Sequence, residues 1–425
     1  MPRSLSTPGL RPQDNSACRG PKPAPPPALC LPAWPPQDIT GPLPRIGGII
    51  LAAGESSRMG RCKAILPLGG STVLEQTALA LAAAVTGPVV VVCGHHGDAV
   101  RAEARRCGLT AVTNPHPENG MFSSVQCGIQ AIVSHVDAAF ILPVDTPLVR
   151  ASTCMLLAAS FVRQGHAVTL PVASPHRSRT GHPPLLRADV LRSVLRHDGK
   201  DGLRAVIRAF ADLSMNTTVP VADEGCLRDM DTPEAYRLAV AAFRRRHIPT
   251  AGEVLALLDI AATPPHVRAH GVRVGQAAAL FACRMVSCAS PSVESLPDAG
   301  LALASGTLHD ILKGYRQHEK AGGAMLRRYG FDAAARIVAA HRDTDPARVR
   351  IPGERELVML ADKYIRGTTL IPMEERFDQR IREWNRDPQA VRDISARKHR
   401  AMTLRRLLDA ALGQDSYRLL QQELA

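Results

Sequence analysis

The sequence predicts a Rossmann-like α/β domain built on a mostly parallel sheet, followed by an all-α domain. Three observations predict it. From Ile46 onward, short apolar runs rich in β-branched residues alternate with segments of helical periodicity. A loop of small residues carrying two cations follows the first apolar run. From about residue 252 the pattern is helical to the C-terminus, with no convincing strand. A chain of 425 residues has room for two or three domains.

Residues 1–45 are crowded with proline and lack periodicity, so a disordered tail is expected there. Strands are expected at Ile46 to Leu51, Pro88 to Cys93, Ala139 to Val144 and Val168 to Val172. Helices are expected at Val73 to Val85, Asp98 to Arg106, Ser123 to Val133 and Ser152 to Gln164. Such alternation implies parallel strands with helices on both faces. Ligands then gather at the carboxyl ends of the strands, where the loop after Leu51 and Asp145 fall. The boundary lies at 246–252, dividing a domain of 46–245 from one of 252–425. In the second, Thr263 before Pro264 is read as a helix cap, and Gly, Pro and Ser between Cys288 and Gly300 mark a loop. The Arg-rich stretch from Glu374 to Ala425, with Leu at helical spacing, is expected to form a helical extension.

A net charge of +13 favours anionic partners, nucleotides as readily as nucleic acid. Only 4% of residues are aromatic, too few for base-stacking platforms, so nucleic acid is not expected. The ten cysteines form no Cys-x-x-Cys pair, so neither a disulfide framework nor a Cys-based zinc site is indicated, and the pattern suits a reducing cytoplasm. The richest apolar stretch, Ala78 to Cys93, breaks at Gly87-Pro88, so no membrane partner is expected either.

The chemistry starts in Leu51-Ala-Ala-Gly-Glu-Ser-Ser-Arg58-Met-Gly-Arg-Cys-Lys63. Small residues let backbone N–H groups approach phosphate oxygens, and Arg58 and Lys63 can neutralise a triphosphate. Gly-x-Gly-x-x-Gly and the Walker spacing are both absent. Asp145 ends an apolar strand in Pro-Val-Asp-Thr-Pro-Leu, and a carboxylate there suits Mg²⁺ or caps a turn. Asp231, just before Thr-Pro, suits the same metal or caps the helix at Pro233.

Together these segments resemble the MobA/MocA-like nucleotidyltransferases, of GT-A type fold. The resemblance covers residues 46–243 and includes Asn119-Gly-Met-Phe-Ser-Ser and Gly181-His-Pro183. It implies NTP contacts from Leu51, Ala52, Ala53, Gly54, Arg58, Lys63, Gly120, Met121, Ser123 and Ser124. It implies acceptor contacts from Gly181, His182 and Pro183, Mg²⁺ on Asp145 and Asp231, and catalytic roles for Arg58, Lys63, Asp145 and Asp231. The implied reaction joins a nucleoside monophosphate to the terminal phosphate of a molybdopterin-type cofactor and releases pyrophosphate, with molybdoenzyme apoproteins as further partners. Ala53 looks like the cytidylyl-transferring branch, favouring CTP over GTP, whereas Thr146 departs from the Gln common in that branch. Lys200 replaces an acidic residue of the usual Gly-Asp-x-Gly-x-Arg, leaving acceptor contact there open.

In the helical half, His270, His309-Asp310 and Asp362 recur in order, with His318 and His341 between the last two. Imidazole and carboxylate together suit a transition metal of the Mn, Fe, Ni or Co type. The set resembles the HD phosphohydrolase superfamily: His270-Gly-Val-Arg-Val its first helix, His309-Asp310 its name-giving pair, Leu360-Ala-Asp-Lys363 its final aspartate. The resemblance implies a metal on His270, His309, Asp310 and Asp362, with His318 and His341 for a second. It also implies hydrolysis of a phosphate ester or anhydride. His266, one turn before His270, is the rival first ligand, and Lys313 either assists a phosphate or lies at the surface.

Overall fold

The computed structural model describes residues 35–36, 42–173, 179–288 and 296–424. The proline-rich stretch through residue 34, residues 37–41, and 289–295 of the expected loop lie outside the described residues. The first half runs β1 (Ile46–Ala52), α1 (Val73–Ala82), β2 (Val89–Cys93), α2 (Gly97–Arg106), β3 (Thr110–Thr113), α3 (Met121–Ile132), β4 (Ala138–Pro143) and α4 (Ala151–Gln164). It continues through β5 (Val168–Ala173), β6 (Leu185–Arg187), α5 (Ala188–Arg196), α6 (Gly202–Asp212), β7 (Asn216–Val221) and α7 (Pro233–Arg244). Strand order is β3-β2-β1-β4-β6-β5-β7, with β6 antiparallel to both neighbours and every other pairing parallel.

All seven residues of β1 are buried, as a strand covered on both faces requires. Ile50 and Ala52 enter one hydrophobic core while Ile49 and Leu51 enter the other, the period-2 alternation of a strand. Helix α3 approaches β1 closely, because a Cβ on Gly128 would stand 2.4 Å from Ile49 Cγ2.

The second half is helical: α8 (Ala251–Ile260), α9 (Pro265–Cys288), α10 (Ala299–Leu308), α11 (His318–Arg328), α12 (Asp332–Ala340), α13 (Glu354–Tyr364), α14 (Met373–Glu383), α15 (Pro388–Leu412) and α16 (Ser416–Leu424). Thr250 and Glu253 start α8 with a reciprocal capping box. One hydrophobic core spans both halves, containing Phe161 and Val221 from the first and Leu257, Leu308 and Phe331 from the second. The C-terminal helices contribute Leu404, Leu408 and Leu420 to a separate core with Phe281 and Tyr364 of α9 and α13.

Three sequence expectations need correction. The helical half contains a hairpin, Ile365–Arg366 against Thr369–Leu370, whose two-residue strands are too short for a periodicity to register. Thr263 does not cap α9: the helix begins at Pro265, and the Thr263 hydroxyl donates to the Ile311 carbonyl at 2.9 Å. Asp231 does not cap α7: the cap is Thr232, whose hydroxyl accepts from the Ala235 N–H at 3.1 Å.

Candidate functional site

The loop after β1 bends back at Ser56, whose carbonyl accepts from the N–H groups of Met59 and Gly60. Its returning end brings Lys63 under the carboxyl edge of the sheet. A cleft of about 520 Å³ opens there, lined by Leu51, Ala52, Ala53, Gly54, Lys63, Gly120, Met121, Ser124 and Asp145, along with Glu55, Cys62, His95 and Glu118. Gly120, at φ +82°, turns the chain into α3 in a conformation that disfavours a side chain. The N-terminus of α3 therefore faces the cleft, its partial positive charge suited to phosphate. Ser123 turns inward instead, donating to the Gly120 carbonyl at 2.8 Å and accepting from Asn114 at 2.8 Å.

Lys63 stands between two carboxylates. Its ammonium donates to Asp231 and lies 3.6 Å from Asp145 Oδ2. Arg58, largely exposed, reaches the other oxygen of Asp231. The strand-end and pre-helix segments are tied by the Met230 N–H donating to the Asp145 carbonyl at 2.9 Å. The two carboxyls differ electrostatically. Burial pushes Asp145 up, against the pull of Lys63, and Asp231 and Asp229 add to the rise. The Lys63 hydrogen bond holds Asp231 below the usual carboxylate range.

A second cleft of about 450 Å³ shares Leu51, Met121 and Pro143 with the first and extends over Phe122, Ile141, Leu170, His182 and Arg204. Gly181 and His182 line it, while Pro183 is buried beside it. The His182–Pro183 bond is cis. Burial lowers the His182 pKa, which favours the neutral ring, and among the described residues its buried Nδ1 has no hydrogen-bond partner.

In the helical half, the six residues named from the sequence converge from five segments. Asp362 Oδ1 lies 3.2 Å from His270 Nε2 and 3.7 Å from His309 Nε2. Asp310 lies 3.4 Å from His309 Nε2, 3.0 Å from His318 Nε2 and 3.8 Å from His341 Nε2. His266 is exposed while His270 is buried, so His270 holds the first position. Close crossing of α9 and α10 sets the His270–His309 spacing: a Cβ on Gly306 would meet Gly275 Cα at 2.6 Å.

Three imidazoles are anchored alike. Nδ1 of His270, His309 and His341 each faces a backbone carbonyl, of Gly367, Gly306 and Val338, at 2.9, 2.7 and 2.7 Å. A carbonyl only accepts, so each Nδ1 carries a proton, and each Nε2 is turned toward the cluster, that of His270 lying 3.2 Å from Asp362 Oδ1. The Nε2 of His309 is buried and, among the described residues, makes no hydrogen bond of good geometry, Asp310 Oδ2 lying 3.4 Å away. Burial, with neighbouring His309, pushes His341 down to about 4, which keeps it neutral. At His309 burial opposes charging, but Asp310 and Asp362 outweigh it and raise the pKa. Burial also opposes ionisation of Asp362, yet Lys363, His270 and Arg376 hold it well below the usual range. Two overlapping groups, His270/His309/Asp362 and His309/Asp310/His341, bring one donor atom each within 4.8 Å. This inward-facing N/O donor set, with an orphaned imidazole nitrogen, fits divalent metal.

Residues 48–215 match the MobA-like NTP transferase domain family, and residues 267–367 match the HD domain family. Nicotine blue oxidoreductase of Paenarthrobacter nicotinovorans is 32% identical over 206 residues, 46% of this chain and 97% of that protein. The chain belongs to the MobA-like NTP transferase family and carries an HD domain behind it. The molybdenum cofactor cytidylyltransferase of Escherichia coli is 24% identical, across 44% of this chain and 92% of its own length. The bifunctional protein GlmU of Pelobacter propionicus is 34% identical over 161 residues, and the chain spans only about a third (34%) of it. Among solved structures, a nucleotidyl transferase from Methanothermobacter is 24% identical with a TM-score of 0.42, over 48% of this chain and 99% of that one. The MobA-like and HD assignments make the chain an enzyme, and HD domains bind divalent metal. Among the described residues no helix is long and apolar enough to cross a membrane.

Sequence reasoning missed Arg376 and the Gly367 carbonyl. Arg376 donates to the carbonyls of Asp362 and Ile365 and lies 3.6 Å from Asp362 Oδ1. It sits among many arginines, with no local pattern to single it out. Lys363, beside Asp362 in sequence and 2.7 Å from its Oδ2, was open to notice.

Proposed function

We propose that the MobA-like half transfers a nucleotidyl group from an NTP, CTP ahead of GTP, to the terminal phosphate of a molybdopterin-type cofactor and releases pyrophosphate. The observation that carries this reading is Lys63 held between Asp145 and Asp231 at the mouth of a cleft walled by the small-residue loop. Asp145 and Asp231 would hold Mg²⁺, which supplies charge neutralisation at the phosphates. Arg58 and Lys63 exchange Asp231 for phosphate oxygens when nucleotide enters and stabilise the charge that builds on them. Loop N–H groups and the α3 N-terminus bind the polyphosphate. His182, at the wall of the adjoining cleft, orients the acceptor there, and the apolar walls suit a planar heterocycle. The similarity to the E. coli cytidylyltransferase supports cytidine, and molybdoenzyme apoproteins would receive the product.

The HD half is proposed to hydrolyse a phosphate ester or anhydride. His270, His309, Asp310 and Asp362 would hold one divalent transition metal, and His318 and His341 a second, supplying Lewis acidity at the phosphate. The anchored imidazoles keep their Nε2 atoms turned inward. Lys313, 2.6 Å from Asp310, and Lys363 place cations beside the cluster for the phosphate charge.

The test supplies each NTP with Mg²⁺ and molybdopterin and measures pyrophosphate. CTP-dependent release, lost in Asp145→Ala, is the expected result. The similarity to nicotine blue oxidoreductase supports a second reading, in which the two clefts serve a different substrate. No pyrophosphate with any NTP would overturn the first reading in its favour. Metal analysis with nucleotidase and phosphodiesterase assays on His309→Ala/Asp310→Ala tests the HD half, where loss of metal and hydrolysis together is expected.

A further inference from the structure

A cavity of about 690 Å³ lies on the seam between the two halves, apart from both clusters described above. Its walls come from the segment before β7's following helix, from the connection at 245–251, and from α9 and α10. Leu255, Val272 and Leu303 face it, and each stays 42–48% exposed, an unusual cost for large apolar side chains on three different helices. The cavity thus has an apolar interior that nothing among the described residues covers.

Its charges are unequal. Four arginines and three carboxylates line it. Arg150 pairs with Glu253 at 3.0 Å, Arg228 with Glu224, and Arg245 with Asp298 at 3.0 Å. Asp223 accepts from the Arg150 and Gly225 N–H groups and the Thr153 hydroxyl. Arg246 alone among the lining cations has no carboxylate within ion-pair distance among the described residues. Its guanidinium lies 4.9 Å from the Phe243 ring centroid and is partly withdrawn from water. An isolated, half-buried guanidinium above an apolar chamber is a receptor for one anionic group on an apolar body.

The geometry points to this seam as a binding site for a small monoanionic molecule with an apolar ring body, its acidic group on Arg246 and its body against Leu255, Val272 and Leu303. Binding without turnover is the expected behaviour, because no histidine or cysteine lines the cavity and all three carboxylates are already engaged. The inference is independent of the nucleotidyl-transfer reading.

The probe is 1-anilinonaphthalene-8-sulfonate, titrated into the full chain and followed by its fluorescence, with neutral N-phenyl-1-naphthylamine alongside. One saturable site per chain is expected. Arg246→Gln should weaken the sulfonate about tenfold and leave the neutral probe unchanged, as loss of one charge-assisted contact predicts. Leu303→Glu, which places an acid on an already exposed side chain, should abolish sulfonate binding. Absence of saturable binding, or equal affinity in wild type and both variants, would overturn the proposal. Sulfonate binding weakened by Leu303→Glu but not by Arg246→Gln would overturn the assigned anion contact.

Discussion

Asp145 and Asp231 hold one ammonium between them yet are tuned in opposite directions, and that difference is testable at the level of single residues. Burial raises Asp145, so its ionisation, and with it Mg²⁺ binding, should fail on acidification at a pH above the ordinary aspartate range. The acid limb of the pH–rate profile for pyrophosphate release should therefore sit above pH about 4. Asp229→Asn removes one of the charges that raise Asp145 and should move that limb toward lower pH, whereas Asp145→Ala should lower the rate by about 10²-fold or more. An unshifted limb in Asp229→Asn would argue that another group sets it. The sequence named both carboxylates from their positions but left each with two roles. Only the fold decides for Asp231, because the neighbouring Thr232 takes the cap and leaves the acid to Lys63 and Arg58. The HD set was legible in the same way: residues of distinctive chemistry in a fixed order survive without knowledge of the fold. Arg376 was not, since a guanidinium that grips backbone carbonyls of Asp362 and Ile365 leaves no pattern in sequence.

At the scale of elements, legibility followed burial. Strands β1, β2, β4 and β5 are buried over nearly their whole length and read as continuous apolar runs. Edge strand β3 is only half-buried, and antiparallel β6 has three residues, so neither carries enough periodicity to be seen. Packing distances between elements were equally hidden, yet they govern the HD cluster. Helices α9 and α10 cross at Gly271, Gly275 and Gly306, where a Cβ on Gly271 would meet the Thr307 carbonyl oxygen at 2.3 Å. Gly306→Val must force the helices apart just three residues before His309. Overpacking of this kind costs about 1–3 kcal/mol, and it should also lower bound metal as His309 moves away from His270. Metal content per chain, measured beside a thermal melt, checks both. Gly128→Val in α3 should destabilise similarly through Ile49 while leaving HD metal content unchanged, which separates a local effect from general loosening.

At the scale of the whole molecule, Arg150 joins the halves. It precedes α4 in the MobA-like half, and its guanidinium meets Glu253 of α8 at 3.0 Å, the Arg246 carbonyl at 2.8 Å and the Phe331 ring at 4.3 Å from the centroid. Its partners stand 96 to 181 positions along the chain, so no local pattern could announce it, and the sequence placed only the boundary it spans. Arg150 and Glu253 are both buried, at 7% and 3% exposure. Arg150→Met removes the cation and leaves buried Glu253 facing buried Asp223, which should cost about 3–5 kcal/mol. The cost should depend on pH with a definite sign. Burial already raises Glu253 above its unfolded value, and losing Arg150 raises it further. A group with a raised folded pKa stabilises fully below its unfolded pKa, and that contribution is lost as pH rises through the folded value. The deficit of Arg150→Met relative to wild type should therefore be larger at pH 8 than at pH 5, as measured by urea denaturation at each. Arg150→Met/Glu253→Leu removes the stranded acid along with the cation, so it should recover much of the loss and show a flatter pH dependence. A single variant with a deficit equal at both pH values would show that Glu253 is not the stranded charge.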